Sequence, residues 1–176
     1  MALTPVERAR KTRLLMMDVD GVLTDGRIMQ DSHGRELKVF DVKDGHGIVM
    51  AHRAKLQTAL ISGRESETTV RRAQELGIAL VFQKTWNKLE VYEKILADTK
   101  YTPDEVAYVG DDLVDIPLLR RVGLAVAVAD AVDEVKATAH LITQRPGGRG
   151  AVREVIELVL RAQGHWDRLI ERYTKA

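Results

Sequence analysis

The sequence predicts an open α/β fold of Rossmann type: a parallel sheet flanked by helices, with a β-hairpin flap and no cap domain. Three observations lead there. Short apolar runs recur along the chain, and each stops at a polar cluster. Stretches of helical length separate them. The acidic clusters follow the apolar runs, and ligands of such sheets bind beyond the carboxyl ends of the strands.

Leu14-Leu15-Met16-Met17 runs into Asp18 and is apolar on both faces, as a buried parallel strand requires. Residues 26–40 break the alternation and read as a hairpin that turns near Asp31-Ser32-His33-Gly34. Its apolar residues, Ile28, Leu37, Val39 and Phe40, have little core of their own to enter. Residues 45–55 form a helix. Thr58-Ala59-Leu60-Ile61 is a strand that ends at Ser62-Gly63-Arg64. Residues 66–76 and 88–97 are helices, with the strand Ala79-Leu80-Val81-Phe82 between them. Thr102-Pro103-Asp104-Glu105 is a capping box with Pro at the first helical position. Val106-Ala107-Tyr108-Val109 leads to Gly110-Asp111-Asp112, and Leu124 to Val128 is the last strand of the alternation. Residues 151–162 are an amphipathic helix, and a second short one follows Gly164, with Trp166, Leu169, Ile170 and Tyr173 on one face.

The chain has 176 residues, the length of one domain. Lys and Arg number 27 against 26 Asp and Glu, so no global field draws it to nucleic acid or to an anionic membrane. Any anionic substrate must be held by a local site. The absence of Cys excludes disulfides, thiolate metal sites and a Cys nucleophile. There is no apolar run long enough to span a bilayer, and the N-terminal stretch lacks the apolar core of a signal peptide. The expected address is the cytoplasm.

Asp18-Val19-Asp20-Gly21 is the sharpest motif. Two carboxylates two residues apart at the end of a buried strand repel each other unless a cation or a proton lies between them. Ser62, taken alone, reads as a helix N-cap. Lys88, taken alone, reads as a solvated lysine. Gly110-Asp111-Asp112-Leu113-Val114-Asp115 places three carboxylates in five positions, and Asp112 or Asp115 could be simple caps. The order is the informative part: DxD, then Ser, then Lys, then GDDxxD, each at a strand end or helix start.

This order resembles the haloacid dehalogenase superfamily of phosphotransferases. The resemblance implies Asp18 as nucleophile and Asp20 as general acid and base. It implies Ser62 and Lys88 as ligands of the phosphoryl group, and Mg²⁺ held by Asp18, Asp20 and Asp111 with Asp112 and Asp115 in support. The chemistry agrees: a carboxylate attacking a phosphate monoester is an anion attacking an anion, and a metal and an ammonium offset that repulsion. Asp20 marks a phosphatase, because one carboxyl can protonate the leaving alkoxide and then activate water. Asp20 and Ser62 are 42 positions apart, Ser62 and Lys88 26, and Lys88 and Asp111 23, so no cap domain fits between the motifs.

At closer range the chain resembles one capless family of the superfamily, the 3-deoxy-D-manno-octulosonate 8-phosphate phosphatases, from Leu14 to about Gly164. The signs are Val39-Phe40-Asp41-Val42-Lys43-Asp44-Gly45-His46-Gly47, Val109 to Asp115, and Gly147-Gly148-Arg149-Gly150-Ala151-Val152-Arg153-Glu154. Position 43 is Lys where many relatives carry Arg. The resemblance implies a sugar-acid phosphate substrate, a role in lipopolysaccharide precursor synthesis, and a homotetramer whose hairpins meet at its centre. Gly63, Arg64, Lys43 and Arg149 are the expected substrate contacts. Arg149 would reach a neighbouring subunit's site on a flexible glycine segment, and removing residues 147–176 is expected to weaken sugar-phosphate binding more than binding of a small ester. A related keto-sugar acid phosphate, such as a nonulosonate 9-phosphate, stays open as the substrate. A phospho-accepting signalling domain and an inactive scaffold are the other readings. The DxDG and GDDxxD motifs speak against the first, and turnover of a simple phosphate ester separates the second.

Overall fold

A computed structural model describes residues 3–175. Its main sheet has six parallel strands: β1 (Leu14–Met17), β4 (Gln57–Ile61), β5 (Leu80–Phe82), β6 (Val106–Gly110), β7 (Leu124–Ala127) and β8 (Leu141–Ile142), in the order β5-β4-β1-β6-β7-β8. Two further strands, β2 (Met29–Gln30) and β3 (Glu36–Leu37), form the predicted hairpin. The expected strands are all present, and β8 joins them.

The chain leaves β1 toward β4 and β5, then returns past β1 to β6, β7 and β8. That reversal opens a crevice at the carboxyl end of the central strand. Register then decides what meets there. Met17 lies opposite Leu60 on one side and Val109 on the other, so Asp18, Ser62 and Asp111 emerge nearly level. All four residues of β1 are buried, as a strand covered on both faces must be.

Helices α1 (Pro5–Lys11), α2 (Val42–Arg53), α3 (Glu67–Leu76), α7 (Ala151–Ala162) and α8 (Trp166–Thr174) make one packed group. Helices α4 (Lys88–Thr99), α5 (Ile116–Leu119) and α6 (Asp133–Thr138) make the other. The Thr102–Glu105 capping box forms, but it closes a single 3-10 turn, Pro103–Glu105. The turn cannot lengthen, because Arg13 N–H already takes the Glu105 carbonyl and Val106 has entered the sheet.

The hairpin leaves Ile28, Leu37 and Val39 more than half exposed. Phe40 departs from that group: it packs against the core, with the Arg72 guanidinium 6.0 Å above its ring. The glycine segment also departs from expectation. It is braced within its own chain. Gly148 N–H donates to the Val22 carbonyl at 2.9 Å and Gly147 N–H to Asp130 Oδ1 at 2.9 Å. A Cβ on Gly147 would collide with the Gly21 carbonyl oxygen, so the two loops approach closer than any side chain permits.

Helix α7 extends this bracing. Six of its residues, including Val152, Val155, Ile156 and Val159, are buried against α1 and α2. Each such side chain contributes about 1.5–3 kcal/mol, so removing residues 147–176 takes away core. That deletion would unfold the chain before it reported on substrate binding. The first turn of α7 lacks a cap of its own, since its N-cap is Gly150. Asp44 of α2 supplies one: its carboxylate accepts Gly150 N–H at 3.1 Å and Arg153 N–H at 2.7 Å.

Burial outweighs these two hydrogen bonds and pushes Asp44 up to about 6. Between roughly pH 4 and 6 the folded protein keeps a proton on Asp44 that the unfolded chain has released. This group's contribution to stability is therefore greatest at low pH and falls as pH rises through that window. Asp44→Asn is neutral throughout. Urea unfolding at pH 4.5 and 6.5 should show parent-minus-variant stability falling by up to about 2 kcal/mol at the higher pH. A difference that does not move with pH would count against the assignment.

Candidate active site

The residues expected from the sequence meet in a cleft of about 260 Å³ at the carboxyl edge of the sheet. Asp18, Asp20, Ser62, Gly63, Arg64, Lys88, Asp111 and Asp112 line it. Asp18 follows β1 directly and is 6% exposed. One of its carboxylate oxygens accepts Val19 N–H at 2.8 Å, and the other faces Lys88 Nζ at 3.1 Å. Lys88 opens α4 and is buried, so the solvated-lysine reading fails. Its ammonium also donates to Asp115 Oδ1 at 2.7 Å and to the Tyr108 hydroxyl at 3.2 Å. Ser62 is buried and does not cap α3, whose N-cap is Ser66. Its hydroxyl oxygen accepts Arg64 N–H at 3.1 Å and stays in the cleft.

The GDDxxD motif divides its labour. Asp112 caps the turn that follows β6, accepting Leu113 N–H at 2.7 Å. Asp115 is fully buried and its oxygens are occupied. Oδ1 accepts from Lys88 and, at 2.5 Å, from Tyr108; Oδ2 accepts the N–H groups of Asp111 and Asp112. Asp111 lies over Gly21, whose φ of 92° and missing side chain leave room for the carboxylate. Any Cβ at position 21 would strike Asp111, which accounts for the glycine of DxDG.

Burial, reinforced by Asp115 and only partly offset by Lys88, pushes Asp18 up to about 7. Burial and the charges of Asp18 and Asp115 push Asp111 up to about 8. Burial pulls the Lys88 ammonium down, but the two carboxylates beside it prevail and its pKa is raised. The cluster therefore has more carboxylates than one ammonium can keep ionised. Oxygens of Asp18, Asp111 and Asp115 lie within 4.8 Å of one another, and Asp111 Oδ1 is buried with no hydrogen-bond partner among the described residues. These groups fit a hard divalent cation bound by oxygen. Asp18 and Asp111 have the free capacity for it; Asp115, with both oxygens engaged, orients Lys88 and the Asp111 loop.

Four functional neighbours carry no signal in the sequence. Lys38 and Glu36 come from the hairpin flap. The Lys38 side chain is almost wholly buried and pairs with Asp20 Oδ1, while Arg64 pairs with Glu36 and lies 3.9 Å from Asp20 Oδ2. In sequence nothing sets these two apart from the other polar residues of the hairpin. Tyr108 reads as a core aromatic, and Trp86 on the cleft rim as a loop residue. Lys43 and Arg149, by contrast, do not line the cleft of their own chain. Lys43 is exposed at the start of α2, and Arg149 is exposed with Asp25 at 3.7 Å. His46 contacts Tyr173 and Arg153, away from the cleft.

Tyr108→Phe tests the buried network. It removes one donor to Asp115 and leaves Lys88 one partner short. A loss of about 1–2 kcal/mol in urea unfolding, with the fold intact by circular dichroism, is expected. Unchanged stability would show that the hydroxyl is replaceable.

The chain was compared with known proteins. The family model of haloacid dehalogenase-like hydrolases matches residues 35–156. The 3-deoxy-D-manno-octulosonate 8-phosphate phosphatase of Yersinia pestis is 46% identical over 158 residues, 90% of this chain and 84% of that protein. A crystal structure of a probable YrbI family phosphatase from Pseudomonas syringae superposes with a TM-score of 0.96 at 45% identity, covering 98% of both chains. The 3-deoxy-D-manno-octulosonate 8-phosphate phosphatase of Moraxella catarrhalis, solved with a magnesium ion, a phosphate ion and a KDO molecule, superposes with a TM-score of 0.94. It is 37% identical and covers 96% of this chain and 97% of that one. With DxDG, Ser62, Lys88 and GDDxxD gathered in one cleft and a family model spanning most of the sequence, this chain belongs to the haloacid dehalogenase-like hydrolases.

Proposed function

We propose that this protein is a Mg²⁺-dependent phosphomonoesterase that hydrolyses 3-deoxy-D-manno-octulosonate 8-phosphate to the free keto-sugar acid and inorganic phosphate. The observation that carries the reading is the buried Asp18–Lys88 pair beside an unpartnered Asp111 oxygen, with Asp20 above it. The relatives of about 46% identity supply the substrate.

The Asp18 carboxylate attacks phosphorus, and the bond from phosphorus to the sugar oxygen breaks. Lys88 and Ser62 hold the phosphoryl oxygens, and Lys88 keeps Asp18 aimed. Asp20 Oδ2 is buried with no hydrogen-bond partner among the described residues, while Oδ1 is engaged by Lys38, so one oxygen remains for proton transfer. Asp20 protonates the leaving alkoxide. It then takes a proton from the water that attacks the aspartyl-phosphate, which frees Asp18 and releases phosphate. Asp18, Asp111 and the main chain of Asp20 would hold Mg²⁺, and Asp112 and Asp115 shape the loop behind it. The metal supplies positive charge against the repulsion between nucleophile and phosphate.

Gly63 and Arg64 contact the substrate at the cleft wall. Lys43 and Arg149, remote from their own cleft, act across an interface in a homotetramer. The outward apolar residues of the hairpin, Ile28, Leu37 and Val39, are its seam, since a two-stranded hairpin is marginal alone in water. The whole chain acts as a single domain in the cytoplasm, within lipopolysaccharide precursor synthesis.

Asp18→Asn should lose essentially all turnover of the sugar phosphate and of p-nitrophenyl phosphate, because an amide is a poor nucleophile. Chelation should abolish parent activity and Mg²⁺ restore it. Activity in Asp18→Asn within about tenfold of the parent would remove the nucleophile assignment.

Light scattering at assay concentration should give a tetramer, and Leu37→Glu with Val39→Glu a smaller species. In the same assays Arg149→Ala should raise KM for the sugar phosphate more than for the small ester. A parent monomer with full selectivity would refute the interface role.

A further inference from the structure

Trp86 sits on the rim of the cleft with 88% of its surface exposed. Phosphoryl transfer makes no use of it. A large aromatic left open to water is unfavourable unless something covers it, and it gains most from a partner with an apolar face. The loop that presents it is fixed. Lys84 adopts a left-handed backbone with φ of 55°, which a non-glycine residue holds only where its surroundings impose it. Thr85 N–H donates to the Ser62 carbonyl at 3.1 Å, and Lys84 Nζ pairs with Glu65 at 2.6 Å. Two residues further on, Lys88 is anchored between Asp18 and Asp115. The backbone that carries the indole is thus held beside the phosphoryl site.

The size of the cleft gives this position its meaning. At about 260 Å³ it is smaller than the roughly 300–1,000 Å³ of pockets that enclose a ligand of drug size. A phosphoryl group seated at Asp18 leaves the organic part of its ester at the mouth. There it meets two unlike surfaces. Asp20 and Arg64 are charged. Trp86 and Val114, the latter 56% exposed, are apolar. A sugar has the same division, with hydroxyl and carboxylate groups at its edges and C–H bonds on its faces.

We infer that Trp86 is the platform for the leaving group: its ring packs on the C–H face of the sugar while the phosphoryl group is held at Asp18. This rests on the reading of the cleft as a sugar-phosphate site and adds the residue that selects for the sugar. The positive edge of the C–H bonds meets the negative face of the indole, and the hydroxyls remain free to turn toward Arg64. A rigid aromatic surface loses little side-chain freedom on contact, so the packing favours binding at small entropic cost.

Trp86→Ala and Trp86→Phe, in the full chain with Mg²⁺, test it. The substrates are the octulosonate 8-phosphate, a panel of hexose and pentose phosphates, and acetyl phosphate, which has no C–H face of that extent. Trp86→Ala should lower the ratio of kcat/KM for the sugar phosphate over acetyl phosphate by about tenfold, chiefly through KM, and Trp86→Phe should restore most of it. An unchanged ratio overturns the platform. If the parent prefers another sugar phosphate and the ratio falls for that one, the platform stands and the proposed substrate falls. If the octulosonate 8-phosphate is the preferred substrate and the ratio does not move, the platform alone falls. Light scattering on the same variants covers the remaining case: a changed oligomer with equal loss on every substrate means that a second copy covers Trp86, which also overturns the inference.

Discussion

Three carboxylates converge at the carboxyl edge of the sheet, and one ammonium, Lys88 Nζ, stands between two of them. Burying an unpaired charge costs several kcal/mol, so this pairing decides which backbone arrangements are tolerable. Helix α4 must begin where it does to place Lys88 within reach of both Asp18 and Asp115. Asp115 must turn back under the Asp111 loop to accept two main-chain N–H groups as well as the ammonium. Tyr108, in mid-strand, spends its hydroxyl on the same carboxylate. The ammonium neutralises part of the cluster and leaves the remainder poised for a divalent cation. Structure and chemistry thus share one source: an excess of negative charge that the protein itself does not fully answer.

The sheet topology makes that convergence possible. A central strand with parallel neighbours on both sides delivers three chain reversals to one edge, and their register brings the side chains nearly level. Glycine then permits the final approach. Gly21 lets Asp111 lie over the DxD loop, and Gly147 lets a distant segment of backbone press on it from behind. The hairpin adds a second electrostatic layer, in which Lys38, Glu36 and Arg64 gather around the Asp20 carboxylate.

Much of this was legible in the sequence, for a physical reason. Apolar runs that end at Asp18, Ser62 and Asp111 report strands buried on both faces and where they stop. Lys88 was legible only through its place in the order of motifs, since a lysine at a helix start says nothing of burial. Lys38 and Tyr108 were not legible. Their roles depend on which elements pack across the sheet edge, and no local pattern records that. Phe40 is apolar like its outward neighbours, and only its place between β3 and α2 turns it onto the core, which no local pattern shows. The glycine segment misleads for the opposite reason. Composition suggests freedom, but glycine also serves where two backbones must touch.

The contact between the Gly21–Thr24 loop and Gly147–Gly148 joins the first strand to the last third of the chain. Its consequence lies in the order of assembly. β1 and its carboxylates come early in the sequence, whereas the Gly147–Gly148 backbone that seats the loop between them follows more than a hundred residues later. Strands and helices can form from nearer contacts, but the Gly21–Thr24 loop gains this backing only when the segment leading into α7 docks on it. The geometry of the Asp18–Asp20 loop therefore rests on a contact that local structure alone cannot supply, one that carries the entropic cost of closing a long loop.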